Sequence, residues 1–385
     1  MNVKVGGYCA DRFAAVKHGF VSNFSEEEEL GAACCVFLRG EKIVDLWGGV
    51  ADEESGTPWQ EDTLCGFYSA GKPLVALGLL QMIDAGSIKL DEPVAGTWPE
   101  FAGGNKEAVT FRHLLCHQAG LPAVRKRLPE GAMLDWDLMV SELAAQEPWW
   151  EPGTRHVYHT NTYGYLVGEP VRRLTGLGPG QYMREKISNP LDVEIHFGVP
   201  DDALDRVATL KWEPSDGVPD QSILDQDMSD EERMLMYAVR NPSGLSSLGI
   251  MNTRAWRQGE VPSTSGHGTA RGIARIYSAL VSADSHGGDR LLSEATLKEA
   301  TSLQSEGYCP ALQREVSFGL GFQLTRPDRP LGPNPSSFGH FGTGGSLGFA
   351  DPQTGIGFGY VMNRIRPRWQ NPRNKALIEA LYASL

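Results

Sequence analysis

The chain has 385 residues, 41% of them hydrophobic and 22% charged, which is enough apolar material for a sizeable core in one large domain or two. Its 35 Lys and Arg stand against 48 Asp and Glu, a formal charge of −13, so a phosphate backbone or an anionic membrane surface is repelled and nucleic acid is not an expected partner. The first twenty residues lack the apolar core of a signal peptide, and no later stretch reaches the ~20 apolar residues of a membrane span; a cytoplasmic protein with no membrane partner is expected.

Residues 11–24 carry a helical pattern, with Phe13, Val16, Phe20 and Phe24 on about one face. The acidic run Glu26 to Glu29 reads as a solvated loop. Residues 32–52, AACCVFLRGEKIVDLWGGVAD, form two β-rich stretches about Arg39-Gly40-Glu41, the pattern of a hairpin. The six cysteines, Cys9, Cys34, Cys35, Cys65, Cys116 and Cys309, contain no CxxC pair and read as buried free thiols, with Cys34 and Cys35 on opposite faces of a strand.

From Tyr68 to about residue 300 the texture becomes helical, most clearly over 73–84, 110–117, 136–146, 163–175, 179–187 and 268–282. After residue 315 β texture returns in VSFGLGFQLT, SLGFADP and GIGFGYVMN, with a turn at Asp351 to Gly355 and a final helix over 373–383. The sheet is therefore built from both ends of the chain. We expect an α/β domain from 1–68 and 300–385, an all-α domain from 69–299, and a cleft where they meet. Segments 123–135, 213–233 and 326–336 are expected to shape the pocket as loops.

Ser69-Ala70-Gly71-Lys72 sits at a strand-to-helix junction. A helix starting there puts Pro73 in its first turn and Lys72 one turn from Ser69, amine towards hydroxyl. A serine hydroxyl is a poor nucleophile until a neighbouring base takes its proton. S-x-x-K alone arises by chance roughly once in a chain of this size, so a capping serine beside a solvated lysine is an equal reading. A competing candidate is Ser346 in Gly344-Gly345-Ser346-Leu347-Gly348, but the nucleophile elbow needs a helix after the serine and here a strand continues. His113 and His117 are four apart and His156 and His159 three apart, yet no Glu follows His113 as a zinc-binding H-E-x-x-H requires. Packing near helix ends is the reading for these histidines, with no metal. Tyr158, between a turn and an apolar helix, is a core aromatic on its own; beside a cation its phenolate is favoured and it becomes a base.

In this order, YSAGKPL (68–74), VTFRHLLCHQAGLP (109–122), WEPGTRHVYHTNTYGYLVGE (150–169), GHGTARGIARIYSAL (266–280) and GHFGTGGSLGFADP (339–352), with IVDLWGGVAD (43–52) before them, resemble the serine β-lactamase/penicillin-binding-protein superfamily. Within it the chain resembles the family VIII carboxylesterases, which have class C β-lactamase architecture. The resemblance covers about residues 8 to 383. It implies a β-lactamase-like fold: an antiparallel sheet flanked by N- and C-terminal helices, with an inserted all-α domain and the active site in the cleft between. Ser69 is then the acylated nucleophile, Lys72 its activating partner and Tyr158 the general base, its pKa lowered by Lys72. His340-Phe341-Gly342 corresponds to the third motif, and the backbone N–H groups of Ser69 and Thr343 to the oxyanion hole. Trp149, Trp150 and Phe341 are candidate acyl-pocket walls or core aromatics.

Two departures bear on activity. Thr160 stands where the family's Y-x-N expects asparagine, with Asn161 one place late, and His340 replaces the lysine of K-T-G. Both weaken the case for a β-lactamase or D-alanyl peptidase and favour esters. The resemblance implies a cofactor-free esterase for small-molecule esters of short acyl chains, with weak β-lactamase activity. The alternatives are a β-lactamase, D-aminohydrolase or acyltransferase on the same machinery, or a penicillin-binding-like scaffold that does not turn over. Oligomeric state has no sequence signal.

Overall fold

Arg39 and Gly40 both take positive φ, 52° and 84°, as a two-residue turn between right-twisted strands requires, and the strands Gly31–Leu38 and Glu41–Asp52 pair antiparallel across it. The computed structural model describes residues 3–212, 224, 226–242, 250–282, 290–366 and 368–385. There the hairpin belongs to a ten-stranded sheet. From one edge the order is Val5–Cys9, Glu41–Asp52, Gly31–Leu38, Ile356–Met362, Leu347–Asp351, Phe338–Phe341, Gln323–Leu324, Arg314–Phe318 and Ser305–Cys309, with Thr57–Pro58 added to Glu41–Asp52. Every pairing in it is antiparallel. The two ends of the chain meet where Gly31–Leu38 pairs with Ile356–Met362.

The register assigns the faces, because directly paired residues share one. Cys35 pairs with Asp45, whose carboxylate takes Arg271 of the helix Ala270–Val281 at 2.7 Å. Cys34 pairs with Tyr360, whose hydroxyl donates to Glu29; Glu29 in turn accepts from Arg373 of the helix Pro372–Ala383 at 2.7 Å. That helix packs on Ala14–Glu26. Helices therefore cover both faces, and the two adjacent cysteines are buried on opposite sides. All six thiols are free, and all but the half-buried Cys9 are buried. Ala270–Val281, although it comes from the middle of the chain, lies tight on the sheet. A Cβ on Gly359 would stand 2.2 Å from the Ala270 carbonyl, and one on Gly357 2.5 Å from that of Ala274.

The helical patterns appear as Ala14–Glu26, Lys72–Asp84, Phe111–Leu115, Trp136–Ala145, Tyr163–Thr175, Pro179–Tyr182 continued by the π-type turn Met183–Ser188, Ala270–Val281 and Pro372–Ala383. Two expectations are corrected. The end of the loop expected over 213–233 is the start of a helix, Asp230–Arg240, capped by Ser229; residues 213–223 and 225 lie outside the described residues. The acidic run is not wholly solvated, because Glu29 is buried against Arg373 and Tyr360. Among the described residues no helix is long and apolar enough to cross a membrane.

Removing one partner of a buried ion pair strands the other charge, at a cost of about 3–5 kcal/mol. Glu29→Ala is expected to lower stability by that amount, read as a shift of the urea midpoint at unchanged m-value.

Candidate active site

After the short strand Cys65–Gly66, Tyr68 adopts φ of +50°, a left-handed conformation that a bulky residue rarely holds. The kink turns the chain into the 3-10 turn Tyr68–Gly71, which runs directly into the helix Lys72–Asp84 with Pro73 in its first turn. Ser69 is 3% exposed and Lys72 is fully buried. Lys72 Nζ lies 3.1 Å from Ser69 Oγ and donates to the carbonyl oxygens of Thr160 at 2.8 Å and Ser263 at 2.9 Å. Among the described residues no carboxylate pairs with it, so burial alone holds its pKa well below that of an ordinary lysine. In its neutral form the amine can keep two N–H bonds to the two carbonyls and turn its lone pair to the Ser69 hydroxyl.

Tyr158 precedes the helix Tyr163–Thr175. It is buried with its ring 4.8 Å from Lys72 Nζ, and its hydroxyl is 3.3 Å from His340 Nε2. His340 Nδ1 is 2.6 Å from the Phe341 carbonyl, which can only accept. Nδ1 therefore carries the proton, Nε2 offers a lone pair, and the Tyr158 O–H donates to it. Burial, with the nearby Lys72 and Arg314, holds His340 neutral, its pKa well below the usual imidazole value. The expectation of a lowered Tyr158 pKa is corrected: burial drives it up, against smaller opposing effects of the Ser69 hydroxyl and Arg314. Burial thus favours the uncharged form of both partners, lowering the Lys72 pKa and raising that of Tyr158.

The third element comes from the sheet. Gly342 follows the strand Phe338–Phe341, and a Cβ there would stand 2.3 Å from the Phe67 carbonyl and 2.1 Å from Ser346 Oγ. Its φ of −109° is ordinary, so the glycine is required by close approach and not by backbone strain. Ser346 Oγ donates to the Phe67 carbonyl at 2.7 Å, which fastens the turn Thr343–Gly345 to the turn carrying Ser69. A strand, Leu347–Asp351, follows Ser346, as expected. The first amides of a helical turn have no partner inside it. Those of Ser69 and Thr343 both stand near the start of such turns.

Other candidates are placed as follows. Thr160 acts through its backbone carbonyl, and Asn161 Nδ2 donates to the Ala238 carbonyl at 2.8 Å. Trp149 and Trp150 pack in the cluster around Tyr158, their indole N–H groups donating to the Ala123 and Arg155 carbonyls. Phe341 is buried in the main core, on the face of its strand opposite His340. His117 is ringed by Tyr158, His159, Tyr163 and Phe318 and accepts from the His159 N–H. His113 closes a capping box with Thr110. Among the described residues no group of side chains is arranged to hold a metal. Sequence reasoning missed Ser263, whose contribution is a carbonyl that any residue would carry, and Trp369, which touches both Tyr158 and His340 with ring centroids 5.5 and 5.7 Å away.

Residues 19–383 match the family described as Beta-lactamase. The chain belongs to the beta-lactamase family. Among its relatives, the Esterase/beta-lactamase LipL of Mycobacterium tuberculosis is 33% identical over 375 residues, covering 94% of this chain and 83% of LipL. A crystal structure of a family VIII carboxylesterase matches with a TM-score of 0.90 and 37% identity over 99% of this chain and 100% of that one. A penicillin-binding protein homologue from Caulobacter crescentus gives 0.89 and 38% over 99% and 100%. The beta-lactamase fold expected from the sequence is the fold found.

Gly342→Ala must push apart the turns that bear the Ser69 and Thr343 amides, and a displacement of about 1 Å costs on the order of a hundredfold in kcat. Steady-state ester hydrolysis checks this. Ser346→Ala leaves the Phe67 carbonyl without its donor and is expected to cost about 1–3 kcal/mol in urea unfolding, while the protein still forms an acyl adduct visible by intact mass.

Proposed function

We propose that this beta-lactamase-family protein is a cytoplasmic, cofactor-free serine carboxylesterase that cleaves small-molecule esters of short acyl chains through an acyl-enzyme on Ser69. The observation that carries the reading is the buried Lys72 amine 3.1 Å from Ser69 Oγ, with no carboxylate among the described residues to hold it charged. The esterase relatives LipL and the family VIII carboxylesterase support it. We further propose that the chain divides into an α/β unit, 1–68 with 300–385, and an inserted, mostly helical unit, 69–299, whose helix Ala270–Val281 packs on the sheet of the first.

In the first step neutral Lys72 takes the Ser69 proton as Oγ bonds to the ester carbonyl carbon. Negative charge gathers on the carbonyl oxygen, for which the Ser69 and Thr343 amides are the proposed donors; one such donor is worth about 10²–10³ in rate. The tetrahedral intermediate collapses, the C–O bond to the alcohol breaks, and the Lys72 ammonium returns its proton to the departing alkoxide. Water then attacks the acyl-enzyme carbonyl carbon as Lys72 takes its proton, the bond to Ser69 Oγ breaks, and Lys72 returns that proton to Oγ as the carboxylic acid leaves. Tyr158 keeps its proton throughout and fixes the geometry through its bond to His340. Neutral His340 offers no charge to a lactam carboxylate, which supports esters over β-lactams. Trp149 and Trp150, beside Tyr158, are the proposed acyl walls.

Purified wild type is expected to hydrolyse p-nitrophenyl butyrate with a transient acyl adduct by mass, and Ser69→Ala to lose both; turnover surviving in Ser69→Ala places the nucleophile elsewhere. The base must be neutral, so kcat/KM is expected to fall as pH drops through the depressed Lys72 pKa and to stay level on the alkaline side. A rate that keeps climbing towards pH ~10, the ordinary range of lysine and phenol alike, overturns a depressed Lys72 pKa.

A further inference from the structure

Arg314 opens the strand Arg314–Phe318. Its guanidinium lies over the Trp369 ring, 4.2 Å from the centroid, and Trp369 touches Tyr158 and His340. The cation therefore stands one aromatic ring away from the proposed catalytic cluster. Among the described residues its Nε and Nη2 are buried with no hydrogen-bond partner. The buried Arg373 is committed by contrast to Glu29 and to the carbonyls of Arg364 and Gly344.

The two uncommitted atoms form one edge of the guanidinium, the edge that grips a carboxylate with two parallel bonds. In this chain Arg112 does this to Asp91 with the same two nitrogens, at 2.6 and 2.9 Å. The surroundings also favour an anion. A cavity of about 1030 Å³ adjoins Arg314 and is lined in part by Arg329, Arg368 and Lys375 against Asp328 and Glu379, a local excess of positive charge in a chain of net −13. Burial and Arg329 push the Arg314 pKa down to about 10, which leaves it charged at neutral pH and in need of a counter-charge.

We propose that Arg314, stacked on Trp369, is a substrate-binding residue that takes a carboxylate of the ester, so that the preferred substrates are anionic esters carrying a free carboxylate beyond the scissile bond. This rests on the Ser69 esterase reading. Arg314 touches no reacting atom in the scheme; it sets which esters are held.

The test compares mono-p-nitrophenyl glutarate, with the carboxylate on the acyl side, and 4-carboxyphenyl butyrate, with it on the alcohol side, against p-nitrophenyl butyrate. The readout is the ratio of kcat/KM for an anionic ester to that for the neutral one, which a merely structural role leaves unmoved. In Arg314→Gln the ratio for one anionic ester is expected to fall about ten- to a hundredfold, the worth of a charged hydrogen-bond pair, and Arg314→Lys to recover part of it. Calorimetry with the same ester on Ser69→Ala protein is expected to find binding that is weakened to the same degree by adding Arg314→Gln. Ratios unchanged for both anionic esters, or equal binding with and without Arg314, overturn the proposal. Turnover that survives Ser69→Ala overturns the nucleophile assignment and leaves the ratio to judge Arg314.

Discussion

A buried lysine amine whose hydrogen-bond partners, among the described residues, are two carbonyl oxygens and a hydroxyl is the constraint on which the site is built. Carbonyl dipoles accept hydrogen bonds but do not replace the solvation of a full charge, so Lys72 is driven towards its neutral form. The partners come from three separated stretches, at Ser69, Thr160 and Ser263. They are locked to one another. The Ser263 hydroxyl donates to the Asn161 carbonyl and accepts from the Gly164 N–H, while the Asn161 side chain donates to the Ala238 carbonyl. The residue beside Thr160 thus works as a brace between the helix Asp230–Arg240 and the loop that holds Lys72.

The sheet supplies the other half through contacts far from any reacting atom. Asn371 Nδ2 and Arg373 Nη2 both donate to the Gly344 carbonyl, and Asn374 Nδ2 to that of Gly345. The start of the C-terminal helix therefore grips the turn that begins with Thr343. Arg373 is itself anchored in Glu29, from the N-terminal part of the chain. For the oxyanion role proposed for the Thr343 amide the turn must not relax when charge appears; it is tied down from two directions, by the helix and by Ser346 on Phe67.

What could be read in advance was whatever a side chain announces by type and spacing. Ser69, Lys72 and Tyr158 could be singled out, and the glycine-rich stretches 346–352 and 355–363 marked strands correctly, whereas the strand Phe338–Phe341 was not read. The direction of the Tyr158 shift could not be read, because it depends on how completely the ring is buried and on whether Lys72 is charged, and both are tertiary facts. Glu29 looked like one member of an exposed acidic run, since its partner lies 344 residues away. The helix Asp230–Arg240 did carry a signal that went unused: Ser229 and Glu232 are a capping box, with reciprocal bonds in the structure. Ser263 and Trp369 had none. One contributes a carbonyl, and the other is brought to Tyr158 by a fold that places residue 369 beside residue 158.

The imidazole of His340 sets how the Tyr158 hydroxyl is held. A lysine there would bring a charge next to Lys72, and each would oppose protonation of the other. A buried imidazole with Nδ1 bound to the Phe341 carbonyl instead presents a lone pair, and that lone pair orients the Tyr158 hydroxyl. The strand position thus contributes an acceptor in place of a cation. With His340 neutral and Lys72 held towards its neutral form, Arg314 on the far side of Trp369 is a positive charge next to the cluster. Proton transfer and charge recognition are consequently separated by an aromatic ring. A charge recruited for binding at that distance perturbs the base at Lys72 far less than one placed at residue 340 would.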